Sequence, residues 1–373
     1  MSRSTPPGPD QSELSVFGPG RGECIVLHVG DNQWAVVDSC VGAGRRESVA
    51  LEYLRAIDVL PERIRLVLAT HWHDDHMRGL ADLLRLATNA RFGCSVAFQT
   101  REFARLIATA DPAFRRSGVD EFASIVGLLS ERRESNSAGD LGEIAWAFAG
   151  RQLLSLSANG RSFPAAIHSF SPSDATVRSA LEEISASLPR QGEPRRVISH
   201  RTPNDTSVVL WVSAGSTRLL LGGDLEHRNR PGEGWLAVLT QHDGVSAMAF
   251  KVPHHGSASA DCADVWSTML VSAPIAILTP YSSGVTPLPS PADLRRLTGR
   301  TSHLYCTAQP NGTGPARREA FIEKQLKRVT RTRRVVVGES CQVRVRWRPQ
   351  NPSAPPEIEM FSGAYRIGAA PAA

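Results

Sequence analysis

Residues 70–76 read Thr-His-Trp-His-Asp-Asp-His, which places three histidines and two aspartates within six consecutive positions. The apolar run Arg63–Ala69 comes directly before this stretch and predicts a buried strand, and the spacing of apolar residues in Met77–Ala87 predicts a helix directly after it. The polar stretch is therefore expected in a loop at one edge of a sheet. Strands and helices alternate along much of the remaining chain, which predicts a layered α/β fold.

The side chains of this loop are of the kinds that bind transition metals. Imidazole and carboxylate groups suit zinc, manganese or iron. In an extended segment, His71 and His73 point to the same side. Asp75 and His76 can turn towards a second ion as the helix begins. A loop that only caps the helix, with Asp74 or Asp75 as the cap, does not need three histidines, so the stretch predicts a metal site.

Two later segments also place polar residues at the end of an apolar strand. Residues 219–226 read Leu-Leu-Leu-Gly-Gly-Asp-Leu-Glu, so Asp224 follows an apolar run and two glycines that allow a tight turn. Residues 251–257 read Lys-Val-Pro-His-His-Gly-Ser, which places His254 and His255 directly after another apolar run. Each segment alone is ambiguous, but three of them in one chain are a more specific indication of a metal site.

These segments together resemble the metallo-β-lactamase superfamily of binuclear metallohydrolases, whose HxHxDH signature is complete at residues 71–76. The resemblance implies a four-layer αββα sandwich with two divalent metal ions, Zn²⁺ or Mn²⁺. In that family the first two histidines bind one metal, the Asp-His pair binds the second, and a later aspartate bridges them. The implied metal ligands here are His71, His73, Asp75, His76, Asp224 and His255. Asp38, which ends an early strand, matches the family's aspartate that supports the ligands from behind.

One branch of the superfamily fits better than the others, namely the hydrolase domain of ComEC-type DNA-uptake competence proteins. The resemblance rests on residues 204–210 (Asn-Asp-Thr-Ser-Val-Val-Leu), together with the Gly-Gly-Asp and His-His-Gly-Ser segments, and it covers Leu14 to Thr279. The chain lacks the membrane channel of those proteins, so a free-standing relative is expected.

The sequence departs from the superfamily at one ligand. Most members supply a further histidine between the HxHxDH loop and the bridging aspartate, whereas only His168 and His200 lie in that interval here. The competence-type branch has the Asn-x-x-Ser run there instead, so Asn204 or Asp205 is expected to support the site or to replace the missing ligand. An oxygen ligand would shift the metal preference from zinc towards manganese.

The resemblance implies a metal-dependent nuclease or nucleotide phosphodiesterase, with a nucleic acid or a nucleotide as substrate. A hydroxide that bridges the two metals would attack phosphorus in line with the leaving oxygen. The candidate catalytic residues are Asp75, His254 and Asp224, and His254 or Asp74 would protonate the leaving group. Arginines within residues 190–201 could line a phosphate groove.

Two other functions remain open at this point. The same metal site supports hydrolysis of a carbonyl ester, a lactam or a thioester, and the fold alone does not choose between these substrates and phosphodiesters. A binding module with a degenerate site is the third possibility, and the complete ligand set argues against it.

Composition excludes several classes of protein. The 373 residues are 41% hydrophobic, which argues against a largely disordered chain. No apolar run approaches the ~18 residues of a membrane helix, and the first ten residues contain no secretory signal. The six cysteines form no CxxC pair, which argues against a zinc ribbon. With no signal peptide they are expected to be reduced thiols in a cytoplasmic protein without membrane association. The net charge of +5 does not by itself indicate nucleic-acid binding.

The pattern predicts one large domain with short extensions. Residues 1–12 are expected to be a disordered leader, and residues 13–310 the metallo-β-lactamase-like hydrolase domain. Residues 311–373 are expected to pack on the same domain as a helix, a β-hairpin and a loose tail after Arg348. Strands are predicted at Ala145–Ser155 and Ala165–Phe170, and a helix at Cys262–Val271.

Overall fold

The structure is a computed structural model, and it describes residues 3–18, 22–42, 47–99, 117–135, 139–187, 202–281, 287–309 and 341–368. Within these ranges the strands form two eight-stranded sheets. The first sheet consists of β1 (Ser12–Phe17), β2 (Cys24–His28), β3 (Trp34–Val37), β4 (Ile64–Ala69), β5 (Arg91–Ser95), β6 (Ile144–Ala147), β14 (Gln342–Trp347) and β15 (Glu357–Phe361). The second consists of β7 (Arg151–Leu156), β8 (Ala165–Ser169), β9 (Leu210–Ala214), β10 (Thr217–Leu221), β11 (Ala247–Lys251), β12 (Leu270–Leu278), β13 (Leu304–Cys306) and β16 (Tyr365–Arg366).

The two sheets have similar strand arrangements. Their orders are β15-β14-β1-β2-β3-β4-β5-β6 and β16-β13-β12-β11-β10-β9-β8-β7. In the first sheet the strands from β14 to β3 pair antiparallel, and those from β3 to β6 pair parallel. In the second sheet the strands from β7 to β10 pair antiparallel, and those from β10 to β13 pair parallel.

Helices cover the outer face of each sheet. Their bounds are α1 (Val49–Ala56), α2 (Asp74–Met77), α3 (Leu80–Leu86), α4 (Ser117–Glu134), α5 (Asp174–Ser187), α6 (Thr202–Asp205), α7 (Gly234–Leu239) and α8 (Pro291–Thr298). Short 3₁₀ turns occur at Pro61–Arg63, Val96–Gln99, Gly139–Gly142, His254–Gly256 and Ala258–Ala260, and a π-helical turn at Val265–Met269. None of the helices in the described ranges has the length and hydropathy needed to cross a membrane.

Strand β4 shows how the sequence produces the layers. Its alternate residues Leu66 and Leu68 belong to the core between the two sheets, whereas Val67 and Ala69 face the core under α1, α3 and α4. Both faces of the strand are therefore buried, which explains its continuous apolar run. A third core, which includes Trp235 and Phe250, lies between the second sheet and its helices. The predicted four-layer αββα sandwich is confirmed.

One strand prediction and one helix prediction in the middle of the chain were wrong. The stretch predicted as one strand, Ala145–Ser155, is divided between β6 and β7, which belong to different sheets. Gly150, with φ of +81°, lies in the turn between them, a conformation that glycine adopts without strain. The predicted helix at Cys262–Val271 is reduced to the π-helical turn, because Leu270 already pairs with β11 as the first residue of β12.

The two ends of the chain are also more closely packed than predicted. The leader is not loose from Arg3 onwards, because the Arg344 and Arg346 side chains of β14 donate hydrogen bonds to the backbone carbonyls of Arg3 and Thr5. Buried arginines need acceptors, and the leader supplies them. The segment after Arg348 is not a loose tail, since it forms β15 and β16. The helix and first hairpin strand predicted within 316–337 lie outside the described residues, and the domain limits stay a prediction.

Candidate metal centre

The HxHxDH loop begins where β4 ends and passes into α2. The rings of His71 and His76 are fully buried, and His73 is half-buried at the outer side of the loop. The Nε2 atom of His71 lies 3.1 Å from Nδ1 of His73, so the two rings face the same side of the extended segment. The other ring nitrogen of His71 contacts Thr70 Oγ1 at 3.0 Å, which fixes the ring.

Asp38 supports this loop from the end of the neighbouring strand β3. Its Oδ1 accepts a hydrogen bond from the Thr70 backbone N–H, and its Oδ2 accepts one from Thr70 Oγ1, both at 2.7 Å. Its Oδ2 also lies 2.7 Å from Nδ1 of His76. Because Nδ1 of His76 is held by the carboxylate, Nε2 is directed towards the cluster. This is the arrangement by which a carboxylate behind a ligand histidine fixes its tautomer and orientation.

Asp224 lies at the centre of the cluster. It follows β10 and Gly223, and its backbone N–H donates to Oγ of Ser207 at 3.0 Å. A side chain at Gly223 would place its Cβ 2.5 Å from the same Oγ, so the turn requires glycine. The Oδ2 atom of Asp224 lies 3.8, 3.4 and 3.7 Å from the Nε2 atoms of His71, His76 and His255. One carboxylate oxygen therefore faces ligand nitrogens from both halves of the chain.

The two adjacent histidines after β11 point in different directions. His254, His255 and Gly256 all adopt left-handed backbone conformations, with φ of 46°, 53° and 83°. The turn buries His255, whose Nε2 lies 3.4 Å from Oδ2 of Asp75. The ring of His254 lies outside the cluster, with Nδ1 3.4 Å from Oε1 of Glu226. His255 therefore has the placement that its predicted role as a ligand requires.

Three other predicted residues lie beside the cluster rather than in it. Asn204 donates from Nδ2 to Oε1 of Glu226 at 3.1 Å and lies 3.4 Å from Nε2 of His254. The carboxylate of Asp205 pairs with the guanidinium of Arg228. Asp74 accepts a hydrogen bond from the backbone N–H of Gly118 at the start of α4. The structure therefore does not bring Asp205 or Asp74 to the cluster, and it places Asn204 next to His254.

The charges within the cluster are set by burial and by the neighbouring side chains. Burial lowers the pKa of His71 well below its ordinary value, and the His76 and His73 rings lower it further. Burial would raise the pKa of Asp224, but His76 and His255 outweigh it and hold that pKa well below its usual range. Burial would lower the pKa of His76 and of His255, but facing carboxylates, Asp224 first, raise both. An ionised aspartate and a neutral His71 are the forms that bind metals.

The side chains of the cluster fit divalent cations. Among the described residues, His76 Nε2 and Asp224 Oδ1 are buried and have no hydrogen-bond partner. Unpaired polar atoms at such depth are costly unless a further group satisfies them. Three groups share His76, and in each of them one ligand atom from every residue lies within 4.8 Å of the others: His71 with His76 and Asp224, Asp75 with His76 and His255, and Glu23 with Asp38 and His76. Imidazole and carboxylate donors are the ligands that zinc and manganese accept.

The fold and the cluster define a class of protein: an αββα sandwich with a histidine- and aspartate-rich candidate metal centre at the edge of both sheets. Residues 17–112 match the family model of the Metallo-beta-lactamase superfamily, so this part of the chain is similar to that superfamily. This range contains Asp38 and the HxHxDH loop. A comparison with curated protein sequences gives no match.

Several solved structures are similar to this chain at low identity. The metallo-beta-lactamase fold protein YhfI from Bacillus subtilis is 11% identical over 58% of this chain and 65% of its own, with a TM-score of 0.27. A metallo-beta-lactamase from Cronobacter sakazakii is 13% identical over 64% of this chain and 76% of its own, with a TM-score of 0.35. The subclass B3 metallo-beta-lactamase MEM-A1, from a soil metagenome library, is 13% identical over 71% and 84%, with a TM-score of 0.31.

Sequence reasoning missed several residues that hold the cluster. Thr70 and Ser207 lie inside segments that were quoted for other residues, and their hydroxyls contact Asp38 and the Asp224 backbone. Glu226 lies in the Gly-Gly-Asp segment, but nothing in the sequence predicts its contact with His254. Lys251 did carry a signal, since it is one of only three lysines and it ends an apolar strand.

Proposed function

We propose that this chain is a metal-dependent hydrolase that cleaves phosphodiester bonds in nucleic acids or nucleotides. The observation that carries the proposal is the position of Asp224, whose Oδ2 lies within 3.8 Å of three histidine Nε2 atoms contributed by both halves of the chain. A carboxylate in this position would be available as a ligand to two cations.

The proposed metal ligands divide into two sets. His71, His73 and Asp224 would hold one cation, and Asp75, His76, His255 and Asp224 would hold the other. When bound, two divalent cations supply a nucleophile at neutral pH and neutralise the charge that develops on the phosphate oxygens.

The chain's own side chains prepare the site for this chemistry. Asp38 and Thr70 fix the His76 ring, and Ser207 fixes the backbone of Asp224. Because these supports are buried, the ligands are held in place before the substrate arrives, which lowers the cost of reaching the transition state.

His254 is the side chain we assign to protonate the leaving oxygen. Its ring is 20% exposed and lies at the open side of the cluster, between Glu226 on Nδ1 and Asn204 on Nε2. A group that transfers a proton has to reach the substrate, and the partial exposure of His254 would allow this. Asp74, the alternative, instead contacts the start of α4.

A phosphodiester is preferred over a carbonyl substrate because of the segment that this chain has where most superfamily members supply a further histidine. The Asn204–Ser207 segment that resembles the ComEC-type branch supplies the hydroxyl on the Asp224 backbone and the amide beside His254. Imidazole and carboxylate ligands together suit Zn²⁺ and Mn²⁺. These features support the phosphodiester proposal and are the reason to test both metals.

The substrate is not expected to enter through the cleft beside α6. This cleft has a volume of about 500 Å³ and lies between α5 and the segment 228–234. The charged side chains that line it are Glu182, Glu183, Asp205, Glu233, Arg228 and Arg230. Carboxylates outnumber arginines, and a phosphate backbone would be repelled there. The arginines of 190–201 lie outside the described residues.

The test is a cleavage assay with purified protein and either Mn²⁺ or Zn²⁺. The substrates are single-stranded DNA, duplex DNA, RNA and cyclic dinucleotides, with a thioester and a lactam in parallel. We expect metal-dependent cleavage of at least one phosphodiester, which Asp224→Ala abolishes and Asp243→Ala, at an exposed aspartate, leaves unchanged. Turnover of the thioester or lactam with no phosphodiester cleavage would overturn the proposal.

A further inference from the structure

A fully buried ion pair lies behind the cluster. Lys251 is the last residue of β11, and its Nζ lies 2.6 Å from Oε2 of Glu23, which comes directly before β2. Both side chains are 0% exposed. The same Nζ donates to the backbone carbonyl of Val252 at 2.8 Å. The pair therefore connects the first sheet with the second at the depth of the proposed metal ligands.

The ion pair continues to His255 through one threonine. The hydroxyl of Thr279 donates to Oε2 of Glu23 at 2.6 Å. Nδ1 of His255 lies 3.1 Å from the Thr279 carbonyl oxygen and 3.3 Å from its hydroxyl. A carbonyl oxygen can only accept, so Nδ1 carries a proton, and the nitrogen left to bind a metal is Nε2, which faces Asp75 and Asp224 and gives up its own proton when a metal binds. Thr279 thus fixes the tautomer that a ligand histidine needs.

Glu23 also contacts the segment that supplies Asp75. Its backbone N–H donates to the carbonyl oxygen of Asp75 at 2.8 Å. The approach is close because the preceding residue is glycine: Gly22 has φ of +88°, and a Cβ there would lie 2.8 Å from the same oxygen. Glu23 therefore contacts Asp75 directly and His255 through Thr279. Asp75 and His255 belong to the same candidate ligand group.

Stability alone does not account for a buried pair of this kind. The cost of removing two charges from water offsets most of their attraction, and apolar replacements of similar volume are often as stable. What the pair does provide is a fixed direction for the Thr279 hydroxyl and the loop before β2. We infer that Glu23 and Lys251 form a positioning pair that, through Thr279, sets His255 and Asp75 to bind one of the two cations. This inference rests on the proposed function.

The test replaces the pair as a unit. Removal of one partner alone would leave an unpaired buried charge, so the informative protein is the double variant Glu23→Leu/Lys251→Met. We expect wild-type protein to bind two Zn²⁺ per chain in equilibrium dialysis with metal analysis. The double variant should bind the first ion unchanged and the second 10- to 100-fold more weakly, the usual effect of losing support behind a ligand.

The matched control is another buried ion pair in the first sheet. Nε of Arg346 lies 2.7 Å from Oε2 of Glu13, with side chains 2% and 0% exposed. The double variant Glu13→Leu/Arg346→Met should bind both ions as the wild type does. If the Glu23/Lys251 double variant is folded by circular dichroism and binds both ions with wild-type affinity, the inference is overturned and the proposed function stands.

A second pair of variants covers the case in which the double variant does not fold. Thr279→Val keeps the shape of the side chain and removes its hydroxyl, and Thr279→Ser retains the hydroxyl. We expect Thr279→Val to weaken the second ion and Thr279→Ser to restore it, and equal binding by both would overturn the inference. Wild-type protein that binds no Zn²⁺ or Mn²⁺ would overturn the proposed function, and the inference with it.

Discussion

The substitution Asp38→Asn tests how the cluster is held, because it changes one atom and keeps the side chain's shape. Asparagine also tolerates the left-handed backbone at this position, where φ is +58°. The asparagine carbonyl can still accept from the backbone N–H of Thr70. Its amide nitrogen, however, takes the place of the oxygen that lies 2.7 Å from Nδ1 of His76. An amide nitrogen only donates, so Nδ1 must become the acceptor and the proton moves to Nε2.

The size of the effect on metal binding follows from the move of the His76 proton to Nε2. Nε2 of His76 is the atom that lies 3.4 Å from Oδ2 of Asp224, and a protonated Nε2 cannot bind a metal. Loss of such support lowers metal affinity by about 10- to 100-fold, which is about 1.4–2.7 kcal/mol. The change also replaces a charged acceptor of buried hydrogen bonds, so we expect the free energy of unfolding to fall by about 1.5–3 kcal/mol.

The assay is Zn²⁺ titration against a competing chelator, with urea unfolding of the metal-free protein alongside. The control is Asp58→Asn, which makes the same change at an exposed aspartate that also has a left-handed backbone, with φ of +57°. The control should match the wild type in both measurements. Wild-type Zn²⁺ affinity in folded Asp38→Asn protein would refute the argument that Asp38 sets the tautomer of His76.

Three further predictions concern stability. Burial lowers the pKa of His28 from 6.5 to about 4, so the folded protein takes up this proton less readily than the unfolded chain. The contribution of His28 to stability is therefore complete above pH 6.5, and the free energy of unfolding falls by about 2 kcal/mol by pH 5. Urea unfolding should show a smaller loss between these pH values in His28→Gln than in the wild type. Ser290→Ala removes the capping box that Ser290 forms with Asp293 at α8 and should cost about 1 kcal/mol in the same measurement; no change would mean that the cap does not stabilise α8. Leu83→Ala creates a cavity at a fully buried position under the first sheet and should lower the free energy of unfolding by about 2–5 kcal/mol. The thermal midpoint should fall, and an unchanged midpoint would contradict the packing described for α3.

The layers and the ligand segments could be predicted from sequence because their signals are local. The apolar run of β4 and the loop that follows it are adjacent in the chain, and so are β10 and Asp224. The boundary between β6 and β7 was harder to predict, because the turn at Phe148–Gly150 contains a single glycine and both strands are short. The ends of the chain were mispredicted because β1 pairs with β14, a partner more than three hundred residues away, and no local pattern encodes that pairing.

The supports behind the ligands follow a rule that the sequence pattern alone does not reveal. Each of three candidate ligands is held by a polar residue that directly precedes or follows the strand next to the ligand's own strand. Asp38 follows β3, the parallel neighbour of β4, and holds His76. Thr279 follows β12, the parallel neighbour of β11, and holds His255.

The third case shows that strand direction decides which end of the neighbour matters. Ser207 lies before β9, and β9 runs antiparallel to β10, so its beginning lies at the edge where β10 ends and Asp224 follows. The support is therefore at the start of an antiparallel neighbour and at the end of a parallel one. Once the strand order is known, a polar residue at that end of the neighbouring strand identifies the support for a ligand. Before it is known, Thr279 is only a threonine after an apolar run, and Glu23, which reaches it from the other sheet, has no sequence signal at all.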